Sequence, residues 1–171
     1  MGKIIGMLCV LGGIASFLYS WVLEQKMRHG RLEELIIFLQ KSIFAMEEEK
    51  VRIIDYFEGY RSRDAVLEET LKEIAERLRK NVYPNGQLVW EEVFWEKREA
   101  WNYEEETFGM ILAVGNGFFG KKRSENLCFL RKSLKQLELQ RDKSKEKDAQ
   151  ERKVWIPVGM LGGIMLMIIL I

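Results

Sequence analysis

The sequence predicts an all-α protein: a helical bundle of about five or six helices, flanked by an N-terminal and a C-terminal transmembrane helix. Three observations carry this. Charge is segregated: 27 basic and 26 acidic residues give a net charge of +1 over 171 residues, yet residues 4–23 and 154–171 hold none of them. Between those ends, apolar residues recur at steps of three and four, the period of a helix with one buried face. Nowhere does a run alternate apolar and polar residues as a half-buried strand would.

The organisation that follows is a first span at 4–23, a bundle at 24–153 and a second span at 154–171. A bilayer core of roughly 30 Å needs about 20 apolar residues in a helix, so both segments are long enough, the second only just. A helix also satisfies its own backbone in lipid. A cleaved signal peptide is the other reading of the first segment. Against it stand a single preceding lysine, an apolar run longer than the roughly 7–15 residues of a signal core, and a poorly formed small-residue site around Ala15 to Ser20. The last segment is expected to be a tail anchor.

Lys26, Arg28 and Arg31 follow the first segment, and Lys143, Lys145, Lys147, Arg152 and Lys153 precede the second, whereas Lys3 is the only basic side chain on the other side. Positive residues stay cytoplasmic, so the bundle is expected to face the cytoplasm. The near-neutral total gives no global field for nucleic acid. Cys9 and Cys128 lie too far apart in sequence to resemble a disulfide framework.

Within the bundle, Leu32, Leu35, Ile36, Leu39, Ile43 and Met46 form the first apolar stripe, and no Gly or Pro interrupts 31–58. The first membrane helix is therefore expected to run on into the bundle. A short helix in "VRIIDYFEGY" ends near Gly59, and a third covers 64–81, with Ser62 or Asp64 as its cap. "YPNG" at 83–86 is the clearest turn. Leu88, Val89, Val93, Phe94, Trp95 and Trp101 then fit a helix, 104–114 another, and the last starts near Ser124 with Leu127, Leu130, Leu134 and Leu137 inward. The charged run "RDKSKEKDAQERK" has no helix breaker before Pro157, so it joins the bundle to the second span as one helix or forms a disordered charged linker.

Motifs of chemistry are sparse. "GNGFFG" spells G-x-G-x-x-G at Gly115, Gly117 and Gly120, but a dinucleotide site needs a preceding strand and repeated βαβ units. The three glycines are expected at a helix–helix corner. His29 is the only histidine, and with Glu33 it makes a poor metal site. The triplets Glu47–Glu49 and Glu104–Glu106 fan around a helix rather than converge. No serine or cysteine sits in a nucleophile context. No catalytic, cofactor or metal site is expected, and the chain is not expected to be an enzyme.

Trp21 and Trp155 flank the spans as candidate interfacial anchors. Trp90, Trp95 and Trp101 are expected to be buried, with exposure of one as a contact anchor the other reading. Helices in lipid associate through small residues. Gly12, Ser16 and Ser20 stand four apart on the first span, and Gly159 and Gly163 form a G-x-x-x-G on the second. These faces are candidates to pack against each other or against a partner's helices.

The layout resembles the stage III sporulation protein AB family. The resemblance rests on a glycine-bearing first span, "RLEELIIFLQKSI", "LKEIAERL", "GMILAVGNGFFGKKRSENLCFLRKSLKQLE" and the tail "KVWIPVGMLGGIMLMIILI". It departs from the family pattern at Lys121, where the family usually has an acidic residue, at Asn126, where it usually has glutamine, and in "EEEKVRIID", which lacks the usual Pro-Leu pair. The resemblance implies a membrane component of the sporulation channel in the mother-cell membrane around the forespore. Distant similarity to the inner-membrane platform protein of type II secretion and type IV pilus systems implies a partner, the ATPase called stage III sporulation protein AA, besides other channel proteins. The expected function is a non-enzymatic scaffold coupling that ATPase to the channel. A two-span signalling or sensory protein is the rival reading, and homo-oligomerisation is left open.

Overall fold

A computed structural model describes residues 2–49, 51–80, 85–120 and 122–170, with side chains omitted at 2–11, 14, 49, 166–167 and 169–170. Seven helices account for nearly all of it: α1 (Gly2–Phe44), α2 (Ile53–Gly59), α3 (Ala65–Arg79), α4 (Gly86–Glu96), α5 (Arg98–Trp101), α6 (Glu105–Phe119) and α7 (Arg123–Leu170). A π-helical turn, Ala45–Glu49, follows α1. No strand occurs among the described residues, so the all-α expectation holds. The chain divides into two compact units, Met1–Met27 with Asp142–Ile171, and Arg28–Arg141.

The larger unit is built on the predicted stripes. Leu32, Leu35, Ile36, Leu39 and Ile43 of α1 are buried, as are Leu67, Leu71 and Ile74 of α3 and Leu130 and Leu137 of α7. Aromatic rings fill the space between them. Phe57 meets Phe118 edge-on with centroids 5.1 Å apart, Phe38 meets Tyr60 at 4.9 Å, and Trp90 lies 4.6 Å from Phe94. Rings at these separations add about 0.5–1.5 kcal/mol per pair beyond their buried area.

Local chemistry sets the helix ends. Of the two candidate caps, Asp64 caps α3, accepting from the Leu67 N–H at 2.9 Å. Ser62 instead accepts from the Asp64 N–H at 3.1 Å and donates to Glu34. Tyr83 and Pro84 of the expected turn lie outside the described residues, but Asn85 caps α4 through the Gln87 N–H at 3.0 Å. The single helix expected to reach Trp101 breaks at Lys97, and Asn102 ends α5 in the left-handed region at φ 47°.

Among the described residues no helix is long and apolar enough to cross a membrane. The flanking transmembrane helices expected at 4–23 and 154–171 are thus not shown. Both segments are helical, as parts of α1 and α7. The charged run after residue 140 is helical too, not a disordered linker.

Candidate interaction site

In the smaller unit the two helix segments pair antiparallel. Leu18 faces Gly159, where an added Cβ would stand 3.4 Å from its Cδ1. Trp21 and Trp155 line one small cleft, and Ala15, Leu18, Val22, Gly159 and Gly163 line another of about 510 Å³. Gly163 is buried. Gly12, Ser16 and Ser20 are instead exposed, and a Cβ on Gly12 would meet nothing within 4 Å. The two small-residue faces therefore do not meet each other. The Gly159–Gly163 face turns toward α1 of the same chain, while the Gly12–Ser16–Ser20 face points away. Trp21 is half-buried and Trp155 is 57% exposed.

The "GNGFFG" segment is not a corner. Gly115 and Gly117 lie inside α6, and only Gly120 sits at its end. The reason is space: a Cβ on Gly115 would fall 2.8 Å from the Trp90 ring, and one on Gly117 would fall 2.6 Å from Leu130. These two glycines let α4 and α7 close onto opposite sides of α6. Gly120 leaves room for Asn126, whose Nδ2 donates to the Gly120 carbonyl at 3.1 Å. With helix where a strand would have to be, the nucleotide reading has no structural support here.

One polar cluster was not foreseen. Arg31 Nε donates to the Asp64 carboxylate at 3.1 Å, its guanidinium reaches the Ala100 and Trp101 carbonyls, and it sits 5.9 Å from the Trp101 ring centroid. One side chain thus ties α1, α3 and α5 together, with Asp64 serving as cap and counter-ion at once. Beside it the Tyr103 hydroxyl donates to the Arg28 carbonyl at 2.9 Å, and burial pushes its titration well above the usual tyrosine value. No local pattern distinguishes Arg31 from the exposed arginines. Only its three-dimensional neighbours do.

A second network joins α3 to α4. Glu73 accepts from Lys97 at 3.1 Å and from Arg77 at 2.5 Å. Burial works to raise its titration, but those hydrogen bonds outweigh burial and hold the carboxyl below its usual value. A depressed carboxylate adds stability above its unfolded pKa of about 4.3, and this is lost as pH falls through the folded value. Glu73→Gln is expected to cost about 1 kcal/mol at pH 7, in keeping with a partly exposed pair. The gap to wild type should close on acidification below about pH 4. Melts at pH 7 and pH 3 check this, and an equal gap at both would refute it.

Residues 3–171 match the family described as stage III sporulation protein AB (spore_III_AB). This chain belongs to that family. No curated protein and no solved structure matches it. Family membership spans both units, and a role in stage III sporulation comes with it.

The surface of this stage III sporulation protein AB family member carries an exposed aromatic side chain on α4. Trp90 and Trp101 are fully buried, whereas Trp95 is 50% exposed. That corrects the expectation that all three are buried: α4 ends one residue after Trp95, leaving its outer face uncovered. The ring rests edge-on against Phe108 at 5.3 Å, with the Arg98 guanidinium 4.8 Å from its centroid. Among the described residues no group of three His, Cys, Asp or Glu side chains could hold a metal. The glutamates at 104–106 are exposed, while Glu47 in the π-helical turn pairs with Arg131.

Proposed function

We propose that this chain is a non-enzymatic scaffold of the stage III channel or secretion complex between mother cell and forespore. Residues 4–23 and 154–171 anchor it in the mother-cell membrane. The bundle faces the cytoplasm and meets the secretion-type ATPase, stage III sporulation protein AA, coupling it to the channel. The observation that carries this reading is the antiparallel pairing of the two charge-free segments, with Gly159 set 3.4 Å from Leu18 as a Cβ would measure it. Close packing at small residues is how helices associate in lipid, where no hydrophobic drive separates helix from solvent. The outward Gly12–Ser16–Ser20 face is then free for the helices of other channel proteins. The basic residues beside both segments favour the cytoplasmic side.

Two measurements test it. Gly159→Leu with Gly163→Leu should force the paired helices apart and reduce recovery of the complex after detergent extraction at least several-fold, with the bundle's near-UV circular dichroism unchanged. Undiminished recovery would count against the scaffold. For location, Glu106→Cys in a chain lacking Cys9 and Cys128 should be protected from a membrane-impermeant thiol reagent in intact cells and labelled after permeabilisation. Labelling of intact cells would put the bundle on the other side.

A further inference from the structure

Trp21 and Trp155 stand at the same end of the paired charge-free segments, two residues before the close of 4–23 and one after the start of 154–171. The cleft they line is about 350 Å³, and Phe17, Leu18 and Glu151 complete its wall. Clefts of about 300–1,000 Å³ are the usual size for small-molecule sites. Three of these side chains are aromatic, one is aliphatic and one is a carboxylate. Phe17 and Trp155 are exposed while Leu18, Trp21 and Glu151 are half-buried, so the cleft is open and Glu151 is partly withdrawn from its surroundings.

Among the described residues Glu151 has no hydrogen-bond or ion-pair partner. Its neighbour Arg152 turns Nε to the Asp148 carbonyl at 3.3 Å, and Lys147, one turn earlier, is engaged elsewhere. No cation among the described residues lies over Phe17, Trp21 or Trp155. Two tryptophans of the larger unit differ: Arg98 sits 4.8 Å from the Trp95 ring and Arg31 sits 5.9 Å from that of Trp101. A half-buried carboxylate beside bare ring faces favours one class of ligand. Glu151 would repel an anion, and a neutral apolar group would strip its water and return nothing. A cation suits both parts of the wall, since ring faces attract it through their quadrupole and the carboxylate accepts its N–H bonds.

We propose that this cleft binds the primary ammonium of a zwitterionic lipid headgroup, that of phosphatidylethanolamine. The proposal rests on the reading that residues 4–23 and 154–171 lie in the bilayer. On that reading both tryptophans sit at headgroup depth, where ammonium groups tethered to lipid are concentrated. A primary ammonium is chosen over a quaternary one because Glu151 can accept a hydrogen bond only from an N–H. The bound headgroup then bridges Trp21 of α1 and Trp155 of α7 at the end of the pair from which the chain enters the larger unit.

Native mass spectrometry of the full chain tests this, after detergent extraction from vesicles of phosphatidylethanolamine and phosphatidylglycerol in equal amounts. The wild-type chain should retain phosphatidylethanolamine in preference to phosphatidylglycerol. Glu151→Gln keeps the shape and loses the charge, and should retain about tenfold less. Trp21→Ala with Trp155→Ala should lose the lipid as well, whereas Trp95→Ala should leave retention unchanged. Equal retention by wild type and Glu151→Gln, or no preference between the two lipids, overturns the proposal. Retention of soluble glycerophosphoethanolamine as firmly as the intact lipid would make the ligand a free amine and overturn the lipid assignment. Alkaline carbonate extraction separates this failure from failure of the anchor reading. A chain that stays in the membrane without a lipid preference refutes the headgroup site alone, and a chain released by carbonate refutes both.

Discussion

Trp90→Ala is expected to destabilise the bundle by about 3–5 kcal/mol, the usual cost of deleting a large buried aromatic side chain. Native domains have only about 5–15 kcal/mol in all, so this change should leave a large unfolded fraction near physiological temperature. Trp90 is fully buried, 4.6 Å from Phe94, 5.5 Å from Phe118 and 6.1 Å from Phe57. Its indole N–H also holds α6 through the Ile111 carbonyl. Alanine would open a cavity among three rings that are themselves pinned and cannot collapse into it. Trp95→Ala is the control: half-exposed and touching one ring, it should cost under about 1 kcal/mol, as surface changes do. Thermal melts of the full chain followed by near-UV circular dichroism compare the two. Equal losses for Trp90 and Trp95 would mean that the aromatic core is not what holds the bundle together.

The difference between these tryptophans shows where sequence reasoning stops. The stripes at 32–43, 66–78 and 127–137 were readable because a helix packed on one side repeats its apolar residues with its own period. Asp64 was readable as a candidate helix start because a short polar side chain before an apolar run has few other uses, whereas Asn85 read only as part of a turn and its capping of α4 came from the structure. Phe38 lies off the first stripe, yet it is buried because Tyr56 and Phe57 of α2, with Tyr60 just after it, cover a second side of α1. That covering is a tertiary fact with no local mark. Arg31 is the same case, since its partners lie 33 and about 70 residues away. The candidate packing face was half readable: the spacing of Gly159 and Gly163 identified a close-packing surface, but not which side of α1 it would meet.

Gly115→Leu is expected to cost about 3 kcal/mol, at the upper end for overpacking a well-filled core. Glycine in a helix interior loses about 1 kcal/mol against alanine, which is why the run at 115–120 reads locally as a break. No described glycine has a positive φ, so backbone conformation does not require glycine here, and space must. An added Cβ on Gly115 would come within 2.3 Å of Gln87 Oε1 and 2.8 Å of Trp90 Cδ1. The amide tip of Gln87 can swing aside. The indole cannot, because three rings and the Ile111 carbonyl fix it, so α4 must be pushed off α6. Gly115→Ala should therefore destabilise as well, by about 1–2 kcal/mol, despite its better helix propensity. Gly109, on the exposed side of the same helix, has nothing within 4 Å of its Cβ position, and Gly109→Ala should stabilise by about 0.5–1 kcal/mol. Opposite signs for one substitution at two positions of α6, read from melting temperatures, would place the cause in the approach of α4. A gain at both positions would mean that propensity alone governs this helix and that the close contact at Trp90 is not what keeps Gly115 a glycine.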